Sequence, residues 1–175
     1  YIAACKEYIA AIKAVDTDAR FAVHTSTGIY NKYQWDEPGD PWHIDILSDA
    51  ALAEEIDYIA VHTYYSNYKN EVMDEVMNAV QADIERITGS DRIKIYLSEY
   101  ALSIYEVDGV TTNPHNMKGI LETANILSRM AWHDGVEMAT YHGIDSSEWK
   151  NIVTDSASGQ MMLNGIGNLL KLFKE

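Results

Sequence analysis

Cysteine is almost missing from this 175-residue chain, which has only Cys5. One thiol closes no internal disulfide, and its place in an apolar helical stripe points to a buried structural sulfur rather than a reactive one. That leaves the compartment open. Positive charge is also scarce, with 13 Lys and Arg against 27 Asp and Glu and a net charge of -14. Such a surface repels phosphate backbones and anionic lipid, so neither nucleic acid nor membrane is expected as a partner. No run of about 18 apolar residues exists to span a bilayer, and no basic-then-apolar leader is recognisable. No glycine-rich phosphate loop follows an apolar run, which removes the main support for a nucleotide fold.

What is present is enough apolar residue for one ordinary core, 47% of the chain, arranged in two alternating periods. Ile2, Cys5, Ile9 and Ile12 recur at helical steps over 1–15, and FAVHTS at 21–26 reads as a short buried strand. A loop rich in Gly, Pro and aromatics follows to Pro41. Helix is expected over 45–55, strand over 56–62, and helix over 70–88, where Met73, Val76, Met77, Val80, Ile84 and Ile87 share a face and Gly89 ends the run. IKIYLSEYAL at 93–102 reads as a strand that stops at Glu99. Asn113-Pro114 suits an N-cap and a first helical position. The helix it opens carries Met117, Ile120, Leu121, Ala124 and Leu127. VEMATY at 136–141 is the fourth strand. A polar loop through Ser158 leads to a last helix with Met162, Leu163, Ile166, Leu169, Leu170 and Phe173 on its apolar side.

Strands separated by whole helices run parallel, because no hairpin joins them. Either a doubly wound sheet or a (β/α)8 TIM barrel accommodates that order, and four strands with long strand-to-helix loops fit half a barrel, a single partial domain over 1–175. The chain opens at Tyr1 inside a helical pattern, so it reads as a piece of something longer. A half-barrel has two unpaired edge strands, so the expected partner is a missing N-terminal half-barrel or a second copy of the chain.

In a barrel the carboxyl ends of the strands share one rim, where active sites are built. The residues there are His24, His62 with Tyr64, Glu99, and Tyr141 with His142. Glu99 with Tyr64 suits glycoside hydrolysis, in which a carboxylate attacks the anomeric carbon and a second carboxylic acid protonates the leaving oxygen. His24, His62 and Glu99 also form a ligand set for a divalent metal, although no HxH or HExxH spacing supports it. Aromatics in the rim loops, Tyr30, Trp35, Trp42, Tyr65, Tyr68, Tyr105 and Trp149, offer faces on which sugars stack and favour the first reading. That reading calls for no metal or other cofactor.

The stretch WHIDILSDAALAEEIDYIAVHTYYSN, followed by IYLSEYA and ILETANILSRMAWHDGVEMATY, resembles the catalytic barrel of glycoside hydrolase family 51 α-L-arabinofuranosidases and, more broadly, clan A retaining glycosidases. The resemblance implies strands five to eight of a TIM barrel and a retaining glycosidase acting on plant polysaccharide or oligosaccharide. Position by position it makes Glu99 the nucleophile and Tyr64 its hydrogen-bonding neighbour, with His62 lining the sugar site. Tyr100 stands where the family usually has Trp and keeps a ring for the substrate. The family's acid/base Glu lies in an Asn-Glu pair upstream of Tyr1, so the isolated fragment is expected to be inactive. Other clan A specificities (xylosidase, endoglucanase, agarase) and a non-catalytic carbohydrate-binding half-barrel are the alternatives.

Overall fold

A computed structural model describes residues 1–25, 30, 41–65, 71–102, 106–107, 109–111, 113–144, 150–154 and 157–174. In chain order the elements are α1 (Ile2–Lys13), β1 (Ala22–His24), α2 (Trp42–Ser48), α3 (Ala50–Glu55), β2 (Tyr58–Tyr65), α4 (Glu71–Thr88), β3 (Lys94–Leu102), β4 (Glu106–Val107), β5 (Val110–Thr111), α5 (Met117–Trp132), β6 (Val136–Tyr141), β7 (Ile152–Thr154), β8 (Met161–Leu163) and α6 (Gly165–Lys174). Strands β1, β2, β3 and β6 form one parallel sheet in that order. The architecture is α/β, half of a (β/α)8 barrel. Two small antiparallel pairs, β4 with β5 and β7 with β8, were not anticipated.

Side-chain parity along the strands separates two faces. Val23 of β1, Ile59, Val61 and Tyr65 of β2, and Ile95, Leu97, Tyr100 and Leu102 of β3 join helix residues such as Leu52, Met73, Val80, Ile84 and Ile126 in a single hydrophobic core. Ala60, His62 and Tyr64 alternate with these and face the other way, toward what is the lumen of a closed barrel. On β3 the alternation changes phase. Val61 pairs with Leu97, but the next residue, His62, pairs with Glu99, so Ser98 is an extra residue in a β-bulge.

Several boundaries differ from expectation for local reasons. β3 does not stop at Glu99 but continues to Leu102. The helix expected over 45–55 is two: Asp49 has extended backbone, ends α2, and caps α3 by accepting from the Leu52 N–H at 3.0 Å, while its carboxylate also meets Lys6 Nζ at 2.7 Å. Helix α5 is capped by Asn116, which accepts from the Gly119 N–H at 2.8 Å, rather than by Asn113. Asn113 and Pro114 instead form a turn pressed on Gly119, where an added Cβ would stand 2.1 Å from the Asn113 oxygen. Met162 and Leu163 belong to β8, ahead of α6. Gly89 does end α4, at φ +68. Cys5 is half-buried and packs against the core. Among the described residues no helix is long and apolar enough to cross a membrane.

Candidate active site

Four parallel strands bring their carboxyl ends together, and the bulge decides what they carry. With strict alternation from Ile95 and Leu97, Glu99 would point into the helix-side core. The extra residue at Ser98 turns it to the face that carries His62, directly opposite it in the register. His62 Nδ1 lies 2.7 Å from Glu99 Oε2. The other oxygen, Oε1, is in close contact with Nδ1 of His142. His142 follows β6 immediately, and its backbone N–H donates to the Tyr100 carbonyl at 3.0 Å, which extends the β3–β6 ladder by one residue and fixes where the ring starts. A ring that carries its proton on Nδ1 donates to the carboxylate and leaves Nε2 for another partner.

Two further rings flank this group. His24, at the end of β1, packs on His62 with ring centres 4.5 Å apart. Burial first, and then the neighbouring His62, hold the His24 imidazole below its ordinary value against the pull of Glu99, so it is neutral at pH 7. Tyr64, two residues beyond His62 on the same face, stands edge-on to His142 at 5.9 Å. The chain of side chains His24, His62, Glu99, His142 and Tyr64 therefore runs across all four strand ends. Glu99 is 21% exposed, half-buried yet open to a ligand.

Of the residues expected at the substrate, Tyr100 and Tyr141 lie on the other side of the sheet, and Trp42 does not touch Glu99 directly. Tyr100, next to Glu99, has the opposite parity; it is 1% exposed in the helix-side core, and its hydroxyl pKa is raised by burial. Tyr141 shares that side, edge-on to Tyr100 at 5.6 Å, with its pKa also raised by burial. Neither ring is on the face of Glu99, because adjacent strand residues point to opposite sides. Trp42 begins α2 and packs on Tyr1 with ring centres 6.2 Å apart, and the Tyr1 hydroxyl in turn donates to the His24 carbonyl at 2.5 Å, so Trp42 approaches the cluster only through Tyr1. Of the rim aromatics, Tyr65 is a core residue whose hydroxyl meets Thr123 Oγ1 at 3.1 Å. Trp35, Tyr68, Tyr105 and Trp149 lie outside the described residues. Among the described residues no group of three or more His, Cys, Asp or Glu side chains has the arrangement to hold a metal ion.

A second polar cluster had no counterpart in the sequence reading. Asp83 of α4 accepts from the Tyr30 hydroxyl at 2.5 Å, lies 2.9 Å from Nε2 of the fully buried His43, and pairs with Arg86. The signal was an acid beside the apolar stripe of α4, one residue before Ile84.

A parallel βα sheet whose strand ends converge on a glutamate flanked by histidines is half of a (β/α)8 barrel with its candidate site on the carboxyl rim. No protein-family model matches the chain, and no curated protein does. Solved structures do match. The chain is similar to the GH51 α-L-arabinofuranosidase of Thermotoga petrophila, at 19% identity and TM-score 0.72, over 98% of this chain and 34% of that one. It is similar to the GH51 arabinofuranosidase of Xanthomonas axonopodis pv. citri, at 13% identity and TM-score 0.70, over 99% and 39%. A GH128 endo-β-1,3-glucanase of Amycolatopsis mediterranei follows at 16% identity and TM-score 0.57, over 94% and 63%. At these identities the likeness is one of fold, and the chain spans about a third of the length of the arabinofuranosidases.

Proposed function

We propose that the chain is the C-terminal half of the catalytic barrel of a retaining glycoside hydrolase of plant polysaccharide or oligosaccharide, an α-L-arabinofuranosidase, with Glu99 as nucleophile. The observation that carries the reading is the Glu99 carboxylate at the carboxyl end of β3, turned to the lumen face by the Ser98 bulge and flanked by one histidine on each oxygen. One oxygen of Glu99 attacks the anomeric carbon as the glycosidic C–O bond breaks. The leaving oxygen takes a proton from a carboxylic acid carried on the upstream half of the barrel, and water then hydrolyses the glycosyl ester. Tyr64 and His24 set the two histidine rings, and the edges of β1 and β6 are closed by the N-terminal half-barrel. Without that half's acid the fragment alone loses roughly 10²- to 10⁴-fold in rate, so it is inactive in isolation.

The test is mass spectrometry of the full-length protein after incubation with a 2-fluoro or aziridine inactivator in the arabinofuranosyl configuration. One adduct on Glu99 is expected, together with a loss of turnover of at least about 10³-fold in Glu99→Gln. The likeness to an endo-β-1,3-glucanase favours a second reading, a pyranosidase of the same fold. Labelling of Glu99 by a pyranosyl analogue alone would select it, and a full-length protein that no such probe labels would remove both.

A further inference from the structure

The carboxylate of Glu99 is engaged from two sides by rings on two different strands. His62 reaches Oε2 from β2, and His142 reaches Oε1 from the end of β6. The last torsion of a glutamate is broad and nearly two-fold, so one donor leaves the plane of the carboxylate free to swing. Two donors from opposite sides fix that plane. The second ring is itself fixed, by the His142 N–H on the Tyr100 carbonyl and by the edge of Tyr64 against the imidazole.

We propose that His142 is a positioning residue of the glycosidase reaction, acting through Glu99 rather than on the sugar. The inference rests on the glycosidase reading above. When one Glu99 oxygen gives its electron pair to the anomeric carbon, the glycosidic C–O pair leaves with the departing oxygen, which the upstream carboxylic acid protonates. The Nδ1 proton of His142 stays on the ring throughout. Its contribution is to hold the carboxylate plane toward the anomeric carbon, where a displacement of about 1 Å costs roughly 10²-fold.

The experiment uses the full-length protein and whichever inactivator configuration labels Glu99. His142→Phe keeps a ring of similar size and removes the donor. It should slow both labelling and kcat by roughly 10- to 100-fold, with KM changed by less than about three-fold. His142→Asn, whose side-chain amide reaches the place of Nδ1, should recover most of the rate. In the unmodified protein a downfield Nδ1 proton resonance of His142 should be present and should be lost in Glu99→Gln, a readout that does not depend on either His142 variant folding. Wild-type labelling rates in His142→Phe, a rise in KM with kcat unchanged, or an Nδ1 resonance indifferent to Glu99→Gln would each overturn the positioning role and leave the glycosidase reading standing. A wild-type protein with no label on Glu99 would overturn both.

Discussion

Glu99 stands opposite His62 although Leu97, two residues before it, stands opposite Val61, so one residue, Ser98, is surplus in the otherwise regular β2–β3 ladder. This count sets the side on which the carboxylate appears. Ile95 and Leu97 below the bulge, and Tyr100 and Leu102 above it, all face the helices. Only a slip of one between them leaves Glu99 on the other side.

Deletion of Ser98 is therefore expected to abolish labelling of Glu99 and to destabilise the fold, by roughly 3–5 kcal/mol if the carboxylate is driven unpaired into the core. Ser98→Ala should do neither, because the bulge depends on the number of residues and the Ser98 hydroxyl lies a long 3.4 Å from the Val61 carbonyl. Thermal denaturation and inactivator labelling of the two variants check this; equal behaviour would mean that the bulge has no bearing on where Glu99 points.

Gly119→Ala offers a test of how α5 is seated. In a solvent-facing helix the change would stabilise by about 1 kcal/mol. Here the new Cβ would meet the Asn113 oxygen at 2.1 Å and the Pro114 Cα at 2.7 Å, both backbone atoms that cannot turn away. A loss of roughly 1–3 kcal/mol is expected from overpacking, read as a lower urea midpoint at unchanged slope. A higher midpoint would show that the turn is not pressed on the helix.

Acid should weaken the fold in two stages. Burial, opposed by the hydrogen bond and charge of Asp83, holds the His43 imidazole below its ordinary 6.5. The unfolded chain then binds that proton first, and stability falls as pH drops through 6.5 until the folded imidazole also titrates. Burial alone would raise Asp83, but hydrogen bonds from Tyr30, Arg86 and His43 outweigh it and hold the carboxyl below its ordinary 3.8. Its contribution is present above 3.8 and disappears as pH falls through the folded value. The Tyr30 hydroxyl, raised to about 12 by burial and by Asp83, stays protonated throughout. His24 and His133 are also lowered, chiefly by burial, and act in the same direction as His43. The melting temperature should therefore decline between pH 7 and 5.5, and less steeply in His43→Phe. A slope unchanged by that substitution would remove His43 from the account.

The sequence alone determined what depends on near neighbours. Helix α4 begins one residue from where its apolar stripe predicts and β6 spans the six expected residues, because periods of 3.6 and 2 are written locally. The alternation of helices with strands implied parallel pairing, and with it the meeting of His24, His62, Glu99 and His142 at one rim. Tertiary structure decided everything that depends on register. The Ser98 bulge, the burial of Tyr100 and Tyr141 behind the sheet, and the approach of His142 to Glu99 follow from how strands tens of residues apart align. No local preference carries that alignment: a slip of one residue leaves every propensity unchanged and reverses every side chain. The same holds for the caps: the sequence pointed to Asn113 as the N-cap of α5 and to one helix over 45–55, whereas Asn116 caps α5 with the Asn113–Pro114 turn packed on Gly119, and Asp49, paired with Lys6 of α1, divides α2 from α3.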